Sequence, residues 1–322
     1  MDLHEAVQKL KDLAKTLDRT PRRMDFFDSG VPEYTIRRLG WDNILAGAGL
    51  TSVFYQRNKR SKREVTDLAP TLARKPRVMY LDIETSYMMA KVWRPGEQRI
   101  ASSDIVGDWF ILSFCAMLDG EIHYLDQRFA NPVEDDAMLM VAIHHLISQS
   151  DIIYTWNGDK FDLKKLNARF AKHDMAPMTH FTSVDGLKIS RNKFGFTSHK
   201  LDDVAKFFGI EGKAKSKVFP GRELWDECMK LNPLAFEEME IYNKQDVQIL
   251  KEVMEKLNPW HSKVNHGVYT HEDVCSCGSK EFDEDGYKTT KGGKFLRFVC
   301  VSCKKEMYSR QNLMKGMMPN LK

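Results

Sequence analysis

The pattern of apolar and polar positions changes twice along the first 80 residues. Within residues 1–50, apolar side chains recur at helical spacing between turns, which predicts a small all-α module. The predicted helices cover 3–17, a short piece opened by Pro21, 32–39 and 41–48. Residues 56–64, QRNKRSKRE, contain no apolar residue and are typical of a basic linker. We therefore predict a helical domain over 1–55 and a linker over 56–75.

From Pro76 onward the pattern becomes that of strands, and then of strands alternating with helices. The predicted strands are VMYLDIET, WFILSFCAML, EIHYLDQ, DIIYTW and a short one near 180–184. Asp119 and Gly120 join the second strand to the third in a tight hairpin. The predicted helices cover 133–148, 160–173, 200–208 and 233–257. This order predicts an α/β domain over 76–260, with a mixed sheet flanked by helices.

Two segments of this middle part have no periodicity that indicates an element. Residues 85–108, which contain Lys91 and Trp93, are interpreted as a substrate-facing loop or a simple surface excursion. Lysines 213, 215 and 217 alternate with small residues in EGKAKSKVF. They can grip phosphate or form an ordinary solvated loop.

Charge is distributed unevenly although the net value is only +4. Residues 1–77 hold 16 Lys/Arg against 10 Asp/Glu, residues 78–264 hold 23 against 28, and residues 265–322 hold 10 against 7. Basic ends suit a polyanionic partner, and an acidic centre repels that partner unless cations lie between them. Ordinary variation of surface charge explains the same imbalance equally well.

Secretion and membrane insertion are not indicated. The N-terminus MDLHEAVQKL lacks the apolar run of a secretory signal, and no stretch approaches about 18 uninterrupted apolar residues. We expect a protein without a membrane partner, in the cytoplasm of a bacterial or virus-infected cell.

Carboxylates and a tyrosine mark three separate segments. Asp82 and Glu84 alternate on one predicted strand, so both side chains point to the same face. Two adjacent like charges suit a site neutralised by divalent cations, although a solvent-facing edge strand gives the same pattern. Asp162 follows a strand and a turn, where it is either a ligand or a first-turn helix acid. Tyr242 and Asp246 are four residues apart on one helix face.

Taken together, the segments YLDIET, WNGDKFDLKKL and YNKQDV resemble, in order and spacing, the three motifs of DEDD 3′–5′ exonucleases of the tyrosine-bearing subclass. The likeness is strongest to the proofreading domain of family B DNA polymerases, and SHKLDDVAKFFGI resembles the segment that precedes their third motif. It covers about residues 76–257 and implies an RNase H-like fold.

The resemblance implies a specific chemistry. Asp82, Glu84, Asp162 and Asp246 are expected to hold two Mg²⁺ or Mn²⁺ ions, and Tyr242 to aim the attacking water. The expected reaction releases 5′-mononucleotides from a single-stranded or frayed 3′ end of DNA, in replication or repair. The substrate contacts it implies are Thr85, Asn157, Phe161 and Lys200. RNA as substrate, or an adaptor that binds metal without turnover, are the alternatives.

Four cysteines cluster in the last part of the chain. The pairs Cys275, Cys277 and Cys300, Cys303 flank a Gly-Gly turn, which is typical of a zinc ribbon. Because the first pair is one residue shorter than the usual C-x-x-C, His271 is a spare candidate ligand. We predict a ribbon and tail over 265–322 with one structural Zn²⁺, and a nucleic acid or a protein as its partner. Cys115 and Cys228 are expected to be simply buried.

The N-terminal segments TPRRMDFF and PEYTIRRLGWDNILAGAGL resemble the small helical repeat attached to some homing endonucleases and phage proteins. This resemblance implies phosphate contacts from four arginines, namely Arg22, Arg23, Arg37 and Arg38. The alternative is a small bundle with solvated arginines around a core of Leu39, Trp41, Ile44 and Leu50.

Overall fold

A computed structural model describes residues 1–21, 23–50, 73–178, 180–212 and 218–314. It contains two compact units, Met1–Ala73 and Arg74–Lys322. The predicted basic linker at 56–64 and the three lysines of EGKAKSKVF lie outside the described residues.

The first unit is a small helical bundle, as its apolar spacing predicts. Its helices are α1 (Leu3–Leu17), α2 (Arg23–Asp28), α3 (Glu33–Leu39) and α4 (Trp41–Gly47). A capping box begins α1: the side chain of Asp2 accepts from the Glu5 N–H, and the Glu5 carboxylate accepts from the Asp2 N–H. The core contains Leu10, Phe26 and Ile44, with Trp41 packed against it.

The second unit is built on a five-stranded mixed sheet. Its strands are β1 (Val78–Thr85), β4 (Ile111–Leu118), β5 (Glu121–Asp126), β6 (Ile152–Thr155) and β7 (Thr182–Asp185). Their order is β5-β4-β1-β6-β7. β4 pairs antiparallel with both β5 and β1, whereas β1, β6 and β7 run parallel. This mixed sheet confirms the predicted fold class.

Helices cover both faces of the sheet. In chain order they are α5 (Ala137–Ser148), α6 (Asp162–Lys172), α7 (Gly186–Lys193), α8 (Leu201–Phe207), α9 (Glu223–Met229), α10 (Pro233–Leu257) and the short α11 (Gly267–Thr270). One apolar cluster joins α5 and α6 to one face, and a second joins α8 and α10 to the other.

The alternation of side chains along β1 determines which face of the sheet carries Asp82 and Glu84. Leu81 and Ile83 are buried against the α5 and α6 layer, whereas Tyr80 packs in the cluster of α10. Because successive side chains of a strand point to opposite faces, Asp82 and Glu84 lie on the α10 face. The long helix that carries the third motif therefore covers the acids of the first.

The structure also contains elements that periodicity did not predict. Within residues 85–108, the strands β2 (Met89–Ala90) and β3 (Ile105–Gly107) pair antiparallel, and the Trp93 side chain is fully exposed. Helices α7 and α9 were also not predicted. The helix predicted over 133–148 begins only at Ala137, because residues 132–135 form a turn in which the Asp135 N–H donates to the Pro132 carbonyl.

A separate three-stranded sheet follows near the C-terminus. It consists of β8 (Phe282–Thr290), β9 (Gly293–Cys300) and β10 (Glu306–Tyr308), in the order β10-β9-β8 with antiparallel pairing. Gly293 comes directly after the hairpin turn and lies close to Asn312. A Cβ atom at this position would lie 2.2 Å from the Asn312 side-chain amide nitrogen. In the described part of the chain, no helix combines the length and the apolar character that crossing a bilayer requires.

Candidate active site

Three of the predicted acids converge where β1 meets α10. Carboxylate oxygens of Asp82, Glu84 and Asp246 lie within 4.8 Å of one another. Asp82 and Glu84 are half-buried, and Asp246 is 4% exposed. Three carboxylates so close repel one another in a partly desolvated place, and hard oxygen donors are those that Mg²⁺ and Mn²⁺ prefer. The donor set therefore fits divalent cations.

An asparagine that the sequence reasoning missed fixes the position of Asp82. Asn243, fully buried on α10, donates from Nδ2 to Oδ2 of Asp82 over 2.5 Å and accepts from the Ser113 hydroxyl over 3.1 Å. The amide therefore connects α10 to β1 and β4. Its only sequence signal is its position beside Tyr242 and one turn before Asp246.

Asp162 approaches the same strand from the start of α6. Its Oδ1 accepts the Ile83 N–H over 3.2 Å, between Asp82 and Glu84 in the chain. Burial, together with the negative charge of Asp185, raises the pKa of Asp162 to about 7, against the lowering effect of the Ile83 N–H. A nearby cation favours the ionised form of such a carboxyl group. Asp162 lies beside the cluster of three without belonging to it.

A further buried acid, Asp185, supports the loop that precedes Asp162. Its Oδ1 accepts the N–H groups of Asn157 (2.9 Å) and Leu187 (3.0 Å), so it also caps α7. Among the described residues its other oxygen has no hydrogen-bond partner. The sequence signal that could have located it is an aspartate just before a helix, in SVDGLKIS.

Tyr242 occupies α10 one turn before Asp246, with the side chain half-buried. Its ring packs edge-on against Trp225 of α9, with centroids 5.9 Å apart. The unpredicted helix α9 thus supports the Tyr242 ring.

The predicted substrate contacts have varied surroundings. Thr85 ends β1 and is half-buried, and Asn157 adopts a positive φ of 70° in the turn after β6. Phe161 is 39% exposed, and its ring lies 5.7 Å from Lys165 Nζ. Lys200 is exposed before α8, where its N–H donates to the Ser198 hydroxyl over 3.4 Å.

Little of the predicted phosphate-binding set of the helical module is described. Arg22 lies outside the described residues, and Arg23 and Arg37 belong to α2 and α3. Arg38 is exposed and donates from Nη2 to the Met1 carbonyl over 2.7 Å. The role of these arginines stays a prediction.

The four C-terminal cysteines form a second group of metal-ligating side chains. Their sulfur atoms lie within 4.8 Å of one another, with Cys275 and Cys303 at 3.5 Å and Cys277 and Cys300 at 3.6 Å. A tetrahedron of Zn–S bonds of about 2.3 Å has its corners about 3.8 Å apart, so the group fits zinc. His271 is exposed at the end of α11 and is not part of this group.

The surroundings of Cys300 favour its thiolate form, whereas burial raises the pKa of Cys277 and of Cys303. Burial raises the pKa of Cys300, but the N–H groups of Cys303 and Ser302 and the neighbouring thiols outweigh it and lower the value to about 6. The buried Lys305 is held beside the group by a 2.8 Å hydrogen bond from Nζ to the Ser276 hydroxyl. Its positive charge would offset part of the excess negative charge that four thiolates would bring to a bound Zn²⁺. Cys115 and Cys228 are buried, as predicted.

A protein-family model matches the middle of the chain. Residues 103–258 match the model of the family RNase_H_2, which is described as RNase_H superfamily. The chain contains an RNase H-like domain. The match includes Asp162 and Asp246 and begins after β1. This match supports a nuclease activity in general, with a nucleic acid as substrate.

Among solved structures, part of the chain is similar to part of the family B DNA polymerase from the hyperthermophilic archaeon Pyrobaculum calidifontis. The TM-score is 0.43 at 19% identity, over 58% of this chain and 25% of the polymerase. The chain thus spans about a quarter of that enzyme's length. No curated protein matches the chain in sequence.

Proposed function

We propose that the RNase H-like domain is a metal-dependent 3′–5′ exonuclease that removes 5′-mononucleotides from unpaired 3′ ends of DNA. The observation that carries the proposal is the convergence of Asp82, Glu84 and Asp246 within 4.8 Å, with Asp162 at the intervening backbone. These are the four acids that the exonuclease motifs specify, and their order in the chain follows the motifs.

The side chains of the site would have different roles in hydrolysis. Asp82, Glu84, Asp162 and Asp246 would hold two divalent cations. Such cations, when bound, activate water and stabilise the charge that develops on the oxygens of the phosphodiester. The Tyr242 hydroxyl would orient the attacking water, and Asn243 keeps Asp82 in place. Phe161, exposed beside Asp162, offers a ring against which the terminal base can stack.

A 5′-labelled single-stranded oligonucleotide of about 20 nucleotides tests the polarity. With Mg²⁺ or Mn²⁺ we expect a ladder that shortens stepwise from the 3′ end, and a 3′ label should leave as a mononucleotide. Chelation of the divalent ions should stop the reaction. RNA of the same sequence tests substrate preference, and slower cleavage of RNA is expected.

Matched glutamate variants test the site. Glu84→Gln should lower the rate by at least about 100-fold, because a metal-binding charge is lost, whereas Glu121→Gln at an exposed position of β5 should not change it. Fragments that begin internally would contradict the exonuclease. Tight binding of oligonucleotides without any hydrolysis would instead favour an adaptor.

For the cysteine group, we propose one structural zinc ion bound by Cys275, Cys277, Cys300 and Cys303. Four protein ligands leave no open position, so the ion would stabilise the three-stranded sheet without taking part in catalysis.

A further inference from the structure

We propose that a groove between the RNase H-like domain and the zinc ribbon binds the phosphate backbone of a single strand upstream of the 3′ end that the enzyme degrades. This inference rests on the proposed exonuclease function and assigns the ribbon a part in substrate binding.

The groove runs along one edge of the second unit and encloses about 1030 Å³. Its walls come from α7, the end of α10, the loop after it, and the ribbon at residues 303–308. Five lysines line it, namely Lys188, Lys193, Lys256, Lys263 and Lys304. All five side chains are exposed, so a bound chain of phosphates can reach them.

The acidic side chains of the groove are compensated from outside it. Glu255 lies 4.0 Å from Lys251, and Glu306 lies 3.2 Å from Arg297, and neither cation lines the groove. Of the five lysines, Lys188 is paired with a carboxylate. The other four form no ion pair within the described part of the chain. The groove therefore has a positive field that a polyanion can neutralise.

One histidine beside these lysines, His261, is buried. Burial, together with the charges of Lys305 and Lys263, lowers the pKa of His261 to about 4. This histidine also lines the groove and is neutral at physiological pH. It therefore adds no charge of its own to the groove.

One end of the groove reaches the loop that carries a catalytic acid. Lys188 Nζ donates to Asp159 over 2.6 Å, and Asp159 also accepts from the Ser183 hydroxyl over 2.5 Å. Asp159 precedes Asp162 by three residues in the turn after β6. A strand whose 3′ end lies at the acids can therefore continue past Lys188 into the groove.

An aromatic side chain in the groove suits a single strand better than a duplex. The Trp260 side chain lines the groove and is 59% exposed, and its ring packs edge-on against Phe194 with centroids 5.3 Å apart. An indole anchored in this way leaves a face for an unpaired base, whereas paired bases in a duplex are already stacked. Lysines with an exposed tryptophan are the combination used by proteins that bind single strands without sequence preference.

Two triple variants with the same loss of charge test the groove. The groove triple is K256A/K263A/K304A, and the control triple is K230A/K280A/K291A at exposed lysines outside it. Binding of a labelled single strand of about 20 nucleotides is measured by anisotropy in Ca²⁺, in a D82N background. We expect the groove triple to weaken affinity about tenfold or more and to reduce the slope of log K against log salt by about 2, because about 0.7 is lost per phosphate contact.

A small substrate, the p-nitrophenyl ester of thymidine 5′-phosphate, separates the groove from the chemistry. With the native acids in place, the groove triple should hydrolyse this ester like wild type and raise KM for the long strand alone. Equal affinities of the two triple variants for the labelled strand would refute the proposed role of the groove and would leave the proposed exonuclease activity unaffected. Weakened binding by the groove triple, with no hydrolysis of any substrate by wild type, would refute the exonuclease while leaving the groove intact.

Discussion

The side-chain amide of Asn243 donates to the carboxylate of Asp82 over 2.5 Å, across 161 positions of the chain. The same amide accepts from Ser113, so one buried group aligns the helix of the third motif with the strand of the first. Asp82 thereby has one oxygen held by α10 before any cation binds.

Replacing Asn243 should disturb the acids more than the fold. Asn243→Ala leaves the Ser113 hydroxyl without its acceptor and frees Asp82 to rotate, at a cost of about 1–3 kcal/mol in the free energy of unfolding. We also expect weaker Mn²⁺ binding and a kcat lowered about tenfold or more. Titration calorimetry with Mn²⁺ measures the positioning effect directly. Gln248→Ala, on the exposed side of the same helix, should change neither quantity.

The raised pKa of Asp162 predicts a pH-dependent stability in buffer without Mg²⁺ or Mn²⁺. A carboxyl group whose pKa rises on folding, here to about 7, stabilises the fold in its protonated form, and this contribution is lost as pH rises through 7. Thermal unfolding between about pH 5 and 8 should therefore show wild type losing stability relative to Asp162→Asn.

Added Mn²⁺ should reverse this trend, because cations compete with the proton for the Asp162 carboxylate. The Mn²⁺-induced rise in Tm should grow with pH up to about 7 in wild type and stay small in Asp162→Asn. The exposed Asp283→Asn of β8 should behave like wild type in both experiments. A Mn²⁺-induced rise in Tm that does not depend on pH would contradict the competition between cations and the proton for the Asp162 carboxylate.

The buried acid Asp136 should contribute strongly to stability. It is fully buried and accepts from Arg169 (2.5 Å), from His173 Nε2 (2.7 Å) and from the Ile111 N–H (3.0 Å). Asp136→Asn leaves the buried guanidinium of Arg169 without a counter-charge and should cost about 3–5 kcal/mol in urea unfolding. Glu227→Gln, which breaks a surface ion pair with the exposed Lys230, should cost far less. Similar losses of stability in the two variants would show that the buried pair of Asp136 and Arg169 contributes no more than a surface ion pair.

Elemental analysis tests the cysteine group. We expect about one zinc ion per chain, lost in Cys277→Ser and in Cys303→Ser but kept in His271→Ala. A chelator strong enough to remove zinc should also lower the Tm, because the metal closes the ribbon. Zinc lost from the histidine variant alone would reassign the ligands.

Local patterns in the sequence determined much of the second unit. The long helix was predicted over 233–257 and is observed at Pro233–Leu257, because Asn232 caps it and Pro233 is favoured in the first turn. Strand alternation alone placed Asp82 and Glu84 on one face. The spacing of the four cysteines predicted their convergence, since two close pairs of cysteines joined by a hairpin bring four sulfur atoms together.

Only the tertiary structure decided which distant groups meet. Periodicity reports which side of an element faces the core, and it carries no information about the partner across the interface. For this reason no sequence signal was strong enough to predict Asn243 beside Asp82, Asp185 near Asp162, or the three-stranded sheet beside Lys256. Each arises from the packing of layers around a sheet whose strand order the hydrophobic pattern does not encode.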